Sequence, residues 1–208
     1  MQRAPRLYLV TDRRRTHGRD LLEVVEAALS GGVDGVQLRE KDLPAREQYE
    51  LARRLRPLCE RHGAMLLIND RIDVALAVKA HGVHLPVRSF LPSEARQILG
   101  SQAIIGASCH DLKEALRAAE SGADFLVCGP VFPTPSKGNL ASPLGVPALA
   151  AIARAVPLPV LAIGGVTQEA IPAIRAAGAH GAAVIRAILE AADPRETARD
   201  LVQKLTNA

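Results

Sequence analysis

A few residues of this chain have the type and spacing to act on a charged substrate. Arg39, Lys41 and Lys137 are cations, and planar Arg with flexible Lys suits a phosphate, pyrophosphate or carboxylate. Asp70 follows Asn69 and is a hard oxygen donor of the kind Mg2+ takes while bridging phosphates. His110 is of the residue type most often used to move a proton, with Ser108 two residues before it. Gly164-Gly165 and the turn at Ile185-Arg186 could bring backbone N–H groups onto a phosphate oxygen. Each has an ordinary alternative: a solvated surface charge, a structural histidine, a tight turn. The six His do not cluster at zinc or iron ligand spacing.

Such residues act together only if the chain gathers them. Eight apolar runs punctuate it: Leu7–Thr11, Gly35–Arg39, Met65–Asn69, Gly82–Leu85, Ala103–Ala107, Phe125–Gly129, Val160–Gly164 and Ala182–Arg186. They are rich in Val, Ile and Leu without polar alternation, as strands buried on both faces are. The segments between read as amphipathic helices. Asp20–Leu29 sets Leu22, Val25 and Leu29 on one face, and Gly31-Gly32 follows where a C-cap belongs. The punctuation recurs as Gly-Val-Asp at 32–34, Gly-Ala-Asp at 122–124 and Gly-Ala-His at 178–180, a weak internal repeat. Eight β/α units predict an α/β fold, a (β/α)8 TIM barrel in a single domain over 1–208. A doubly wound open sheet competes, but no GxGxxG follows the first run.

A barrel builds its site at the C-terminal ends of its strands. The runs end in Thr11-Asp12, in Gln37-Leu38-Arg39-Glu40-Lys41, in Asn69-Asp70-Arg71, in His84-Leu85-Pro86 with Ser89 beyond, and in Ser108-Cys109-His110. The sixth leads to Thr134, Ser136 and Lys137, the seventh ends in Gly164-Gly165 and the eighth in Ile185-Arg186. Strand starts carry mostly Gly, Ala and Pro. The polar stretch 134–143, rich in Pro and Gly, reads as a mobile active-site loop.

Composition removes other classes. With 48% hydrophobic residues and 23% charged, the chain can build a core, and aromatics at 2% leave it to Ala, Val, Ile and Leu. No apolar run reaches the roughly 18 residues of a membrane span, and residues 1–6 lack a signal-peptide core. The 21 Arg are scattered, and stacking aromatics are few, so the net charge of +4 is not a nucleic-acid footprint. Cys59, Cys109 and Cys128 are odd in number without CxxC spacing and read as free thiols of a cytoplasmic protein.

LYLVTD (7–12), VQLREKD (36–42), LLINDRIDVALAV (66–78), GVHL (82–85), CGPVFPTPSK (128–137), PLGV (143–146) and AIGGV (162–166) together resemble the thiamine phosphate synthase/TenI superfamily, in order along nearly the whole chain. The resemblance implies a (β/α)8 barrel and a role in thiamine biosynthesis on small phosphate or pyrophosphate substrates. In the synthase branch, hydroxymethylpyrimidine pyrophosphate joins thiazole phosphate with Mg2+ and loss of pyrophosphate. In the TenI branch a thiazole phosphate carboxylate tautomer is aromatised without a metal. The synthase pattern implies that Gln37, Arg39 and Lys41 meet the pyrimidine and pyrophosphate, and that Asn69, Ser108 and Lys137 add contacts. It implies Asp70 as a Mg2+ ligand, and Thr134, Ser136 and Gly165 at the thiazole phosphate. Small barrels of this kind often pair as homodimers.

The departure lies after the fourth run. Synthases carry a second carboxylate ligand there, and this chain has Pro86-Val87-Arg88-Ser89. A hydroxyl in place of a carboxylate weakens a hard-cation site. The HLPxxSF pattern and Ser108-x-His110 resemble TenI proteins, whose His is the proton shuttle, whereas Arg39-Glu40-Lys41-Asp42 is synthase-like. Arg186 replaces a small Ser common to both branches. The missing carboxylate weighs most. It makes a thiazole tautomerase the first expectation, without cofactor, and a Mg2+-dependent synthase the alternative. A third reading, a thiazole phosphate sensor, lacks any recognisable DNA-contacting segment.

Overall fold

The computed structural model describes residues 4–134 and 142–206. Among them, eight parallel strands close into a barrel in chain order. They are β1 (Leu7–Val10), β2 (Gly35–Leu38), β3 (Met65–Asn69), β4 (Gly82–Leu85), β5 (Ile104–Cys109), β6 (Phe125–Cys128), β7 (Val160–Ile163) and β8 (Gly181–Val184). The helices are α1 (Leu21–Ser30), α2 (Ala45–Arg61), α3 (Ile72–Ala77), α4 (Pro92–Leu99), α5 (Leu112–Glu120), α6 (Gly145–Ala155), α7 (Ile171–Ala176), α8 (Arg186–Leu189) and α9 (Pro194–Thr206). The strands coincide with the eight apolar runs to within a residue or two at most ends.

Alternation along each strand makes two cores. Leu7, Leu9, Val36, Leu66, Ile68, Val83, Ile105 and Leu126 face outward and join the helices in the larger cluster. Tyr8, Val10, Leu67, Phe125, Val127, Leu161 and Ala183 fill the barrel interior. Two of the five Phe and Tyr residues lie there. Tyr8 and Phe125 meet edge to face at 5.6 Å, and the His84 ring lies 5.9 Å from Tyr8 and 6.2 Å from Phe125.

Local signals set the helix ends. Asp20 accepts the N–H groups of Leu22 at 2.7 Å and Glu23 at 3.3 Å, which starts α1, and Gly31 ends it. Asp111 does the same for α5 through the Glu114 N–H at 2.7 Å.

The repeated Gly-x-Asp punctuation closes the N-terminal end of the barrel. Asp34 accepts the N–H of Arg6 at 2.9 Å and of Leu7 at 2.9 Å, which ties the start of β2 to β1. Burial pushes its carboxyl up despite those N–H bonds. Asp124 accepts the N–H of Ile105 at 2.8 Å and pairs with Arg96 at 2.8 Å, which ties β6 to β5 and α4.

The expectation of three free thiols is corrected. Cys109 and Cys128 are register partners on β5 and β6, both turned outward, with Cα atoms 4.9 Å apart, and are joined in a disulfide. Sequence spacing hides this, because one strand–helix–strand pass separates two residues that pairing places side by side. Cys59 alone is free among the described residues, and burial pushes its thiol up to about 12.

Candidate functional site

Of the expected site residues that the structure describes, all lie at the C-terminal end of the barrel. The turn after β2 is braced by its own acids. Glu40 is buried and accepts the Arg13 backbone N–H at 3.1 Å and its guanidinium at 3.1 Å. Asp42 pairs with the same guanidinium at 2.7 Å, which holds the Asp42 carboxyl down at about 2. Thr11 accepts the Arg39 N–H at 2.9 Å. These bonds fix the backbone on either side of Arg39 and Lys41. The Arg39 guanidinium makes no hydrogen bond or ion pair with another described residue and is close enough to His84 to bias its charge. Gln37, buried inside the barrel, donates to the Tyr8 hydroxyl at 3.3 Å.

Asn69 ends β3, largely buried, with His84 as its register partner. Asp70 follows in the left-handed region at φ 66° and is exposed. Its neighbour Arg71 turns instead to Asp73, at 2.8 Å through Nε, so the Asp70 carboxylate is not claimed by the adjacent cation. The Ser89 hydroxyl donates to Asp70 Oδ1. The residue read as a lost ligand therefore brings an oxygen to the one carboxylate present.

This donor set decides what cation could sit here. Among the described residues no three His, Cys, Asp or Glu come together as a metal site. One carboxylate, one hydroxyl and the nearby Asn69 are too few for a metal held by protein alone. They fit Mg2+, which prefers oxygen, keeps waters and takes phosphate oxygens from a substrate.

Ser108 and His110 part company. Ser108 faces into the barrel mouth, with its Oγ 2.8 Å from His84 Nε2. His110 lies beyond the end of β5, where strand alternation no longer governs it. Glu114 on α5 takes its backbone N–H at 2.8 Å and its Nδ1 at 2.9 Å, and the side chain is 45% exposed. The histidine that meets Ser108 is thus His84, buried and held neutral: burial first, and the Arg39 charge second, lower it from 6.5 to about 3. The sequence offered one sign of it, a lone polar residue between outward-facing Val83 and Leu85.

The opposite half of the rim is backbone. Gly164 and Gly165 hold φ of 91° and 65°, which favour glycine. A Cβ on Gly165 would lie 2.6 Å from the Pro133 carbonyl oxygen and 2.7 Å from Phe132 Cβ. Val131 and Phe132 donate their N–H groups to the carbonyls of Ile163 at 2.8 Å and Gly164 at 3.0 Å. The two glycines are therefore required by the close passage of the segment after β6. Ile185 precedes α8, which no side chain caps. Arg186 turns along α8 to Glu190, with Nε 2.9 Å from both carboxylate oxygens. Thr134 is half-buried beside this half, while Ser136 and Lys137, like most of the expected loop 134–143, lie outside the described residues.

Comparison with known proteins gives the family and the fold. A protein of Geobacter sulfurreducens is 54% identical over 199 residues, covering 96% of this chain and 93% of that one. The thiamine-phosphate synthase of Moorella thermoacetica is 44% identical over 202 residues, covering 97% and 96%. The solved thiamine phosphate pyrophosphorylase from Pyrococcus furiosus superposes with a TM-score of 0.88 at 39% identity, over 96% of this chain and 95% of that one. A 3-hexulose-6-phosphate synthase at 19% identity and TM-score 0.71 shares the fold alone. The profile that describes thiamine monophosphate synthase matches residues 7–188, from the first strand to the last turn of the rim. By its sequence, its barrel and the order of its rim residues, the chain belongs to the thiamine monophosphate synthase family.

Proposed function

We propose that this protein is a thiamine-phosphate synthase. It joins hydroxymethylpyrimidine pyrophosphate to thiazole phosphate and releases pyrophosphate. The contact between Ser89 and Asp70 carries this reading. It answers the objection that favoured a tautomerase, because the second ligand position holds an oxygen turned to the carboxylate. The relatives named as synthases support the same branch. His110, exposed and paired with Glu114, gives the tautomerase no comparable support.

The roles follow from the geometry. Gln37, braced by Tyr8, offers an amide donor and acceptor to the edge of a pyrimidine. Arg39 is held by its backbone with its guanidinium left for an anion, and Ser108, on His84, presents a hydroxyl at the same end of the barrel. Asp70, with Ser89 and Asn69, would hold Mg2+ against the pyrophosphate. Bound there, Mg2+ would neutralise charge on the leaving group. The methylene C–O bond breaks, pyrophosphate leaves with the bond's electrons, and the thiazole nitrogen forms the new C–N bond. Arg39 and Lys41 offset the developing negative charge at a rim where donors are already fixed. Lys137 joins them in this proposal, as do Thr134, Ser136, Gly164, Gly165 and the turn at Ile185-Arg186 at the thiazole phosphate.

The test is direct. Purified protein with pyrimidine pyrophosphate, thiazole phosphate and Mg2+ should yield thiamine phosphate and pyrophosphate. Aromatisation of the thiazole tautomer with no coupling product would return the tautomerase to first place.

A further inference from the structure

The Ser108 hydroxyl can serve an anion only if its proton points outward, and its one contact inside the barrel decides that. Nε2 of His84 lies 2.8 Å from Ser108 Oγ. Nδ1 of the same ring is buried with no protein partner among the described residues. The ring is enclosed by aromatic neighbours and by a missing side chain. A Cβ on Gly106 would lie 2.9 Å from Nδ1 and 2.5 Å from Phe125 Cζ, so the glycine is the space the imidazole and Phe125 occupy. An imidazolium here would bury a charge with Nδ1–H facing no acceptor, so the ring is neutral and carries a single N–H.

Two tautomers are then open. With the proton on Nδ1, a buried donor is left unpaired, and Nε2 accepts the Ser108 proton, which turns the serine lone pairs toward any anion at the rim. With the proton on Nε2, only a ring lone pair is left unpaired, and Ser108 is free to donate outward. Orphaned N–H groups are rarer and costlier than unused acceptors.

We propose that His84 is a positioning residue: its Nε2–H donates to Ser108 Oγ and aims the serine hydroxyl proton out of the barrel, onto an oxygen of the substrate's pyrophosphate. Gly106 belongs to the same device, because any side chain there would displace the ring. That the acceptor is pyrophosphate rests on the function proposed above; the tautomer does not.

The experiment has two readouts, neither of which is turnover. In protein labelled with 15N in histidine, His84 should show protonated Nε2 and bare Nδ1 at neutral pH, and should keep that state in Ser108→Ala. Protonated Nδ1 would overturn the proposal whatever the variants do. Binding of inorganic pyrophosphate with Mg2+ should weaken about tenfold in His84→Phe, the loss expected for one oriented hydrogen bond to a charged group. It should return to within about threefold of wild type in His84→Gln, whose amide can donate to Ser108 from a similar place. Binding by His84→Phe equal to wild type would also overturn it. Where His84→Phe fails to fold, the wild-type tautomer still decides. If both readouts hold and no thiamine phosphate forms, the function proposal fails and the positioning role stands.

Discussion

The two ends of the barrel use the same residue type for opposite purposes. At the N-terminal end, Asp34 and Asp124 spend their oxygens on backbone N–H groups of neighbouring strands. At the C-terminal end, Asp70 sits in a left-handed turn, exposed, with a serine hydroxyl as its protein partner. An aspartate saturated by the fold stabilises it. One held out at the mouth is left for a cation or a substrate. In a barrel, the end at which a carboxylate sits says more about its role than its chemistry does.

The sharpest way to break this contrast is to remove one carboxylate from each end. Asp70→Asn is expected to lower kcat/KM for thiamine phosphate formation by about 10³-fold, with the melting temperature nearly unchanged, since Asn tolerates the left-handed backbone and the group meets no backbone donor across strands. Steady-state kinetics beside a thermal melt checks both halves. Asp124→Ala should do the reverse. It removes the carboxylate partner of Arg96 and strands the Ile105 N–H, and is expected to cost about 2 kcal/mol in a urea titration while the folded fraction keeps its kcat. A large loss of kcat in Asp124→Ala at full folding would collapse the distinction.

Acid sharpens the contrast from the rim side. His84 has a folded-state value near 3, below its usual 6.5. Between those values the unfolded chain binds a proton that the folded one does not. The stability from the neutral ring is therefore present above 6.5 and is lost as pH falls through that window. From pH 6.5 to about pH 5 this group alone should remove about 2 kcal/mol, and His84→Gln should flatten that part of a urea-midpoint profile. An unchanged slope in His84→Gln would show that the ring is already protonated in the folded protein.

The smallest effect is expected at Arg186. Its guanidinium is committed to Glu190 on the surface of α8, so Arg186→Ser should change stability by under about 1 kcal/mol and KM for thiazole phosphate by less than about threefold. A larger rise in KM would mean that Arg186 leaves Glu190 to meet the phosphate.

Much of this protein is written along the chain. Eight continuous apolar runs separated by amphipathic segments call for strands covered on both faces, and a barrel with helices outside covers all eight without leaving an edge strand. The same logic named the rim, because the polar residues follow the runs. Asp20 and Gly32 mark the ends of α1 for local reasons, a side-chain cap and a glycine at a φ of 102°. These features need only neighbours a few residues away.

Three others depend on pairing across the barrel. Cys109 and Cys128 become partners only when β5 lies against β6 in that register. Ser89 reads as a missing ligand until the β4–α4 turn brings its hydroxyl to Asp70. His84 and His110 are equally plausible proton carriers by type. One lies in a strand, where alternation points it inward to Ser108, and the other lies past a strand end, where Glu114 takes it. Residue type is local and states what chemistry is possible. Register and facing are set by hydrogen bonds between distant segments, and they decide which of those residues meet.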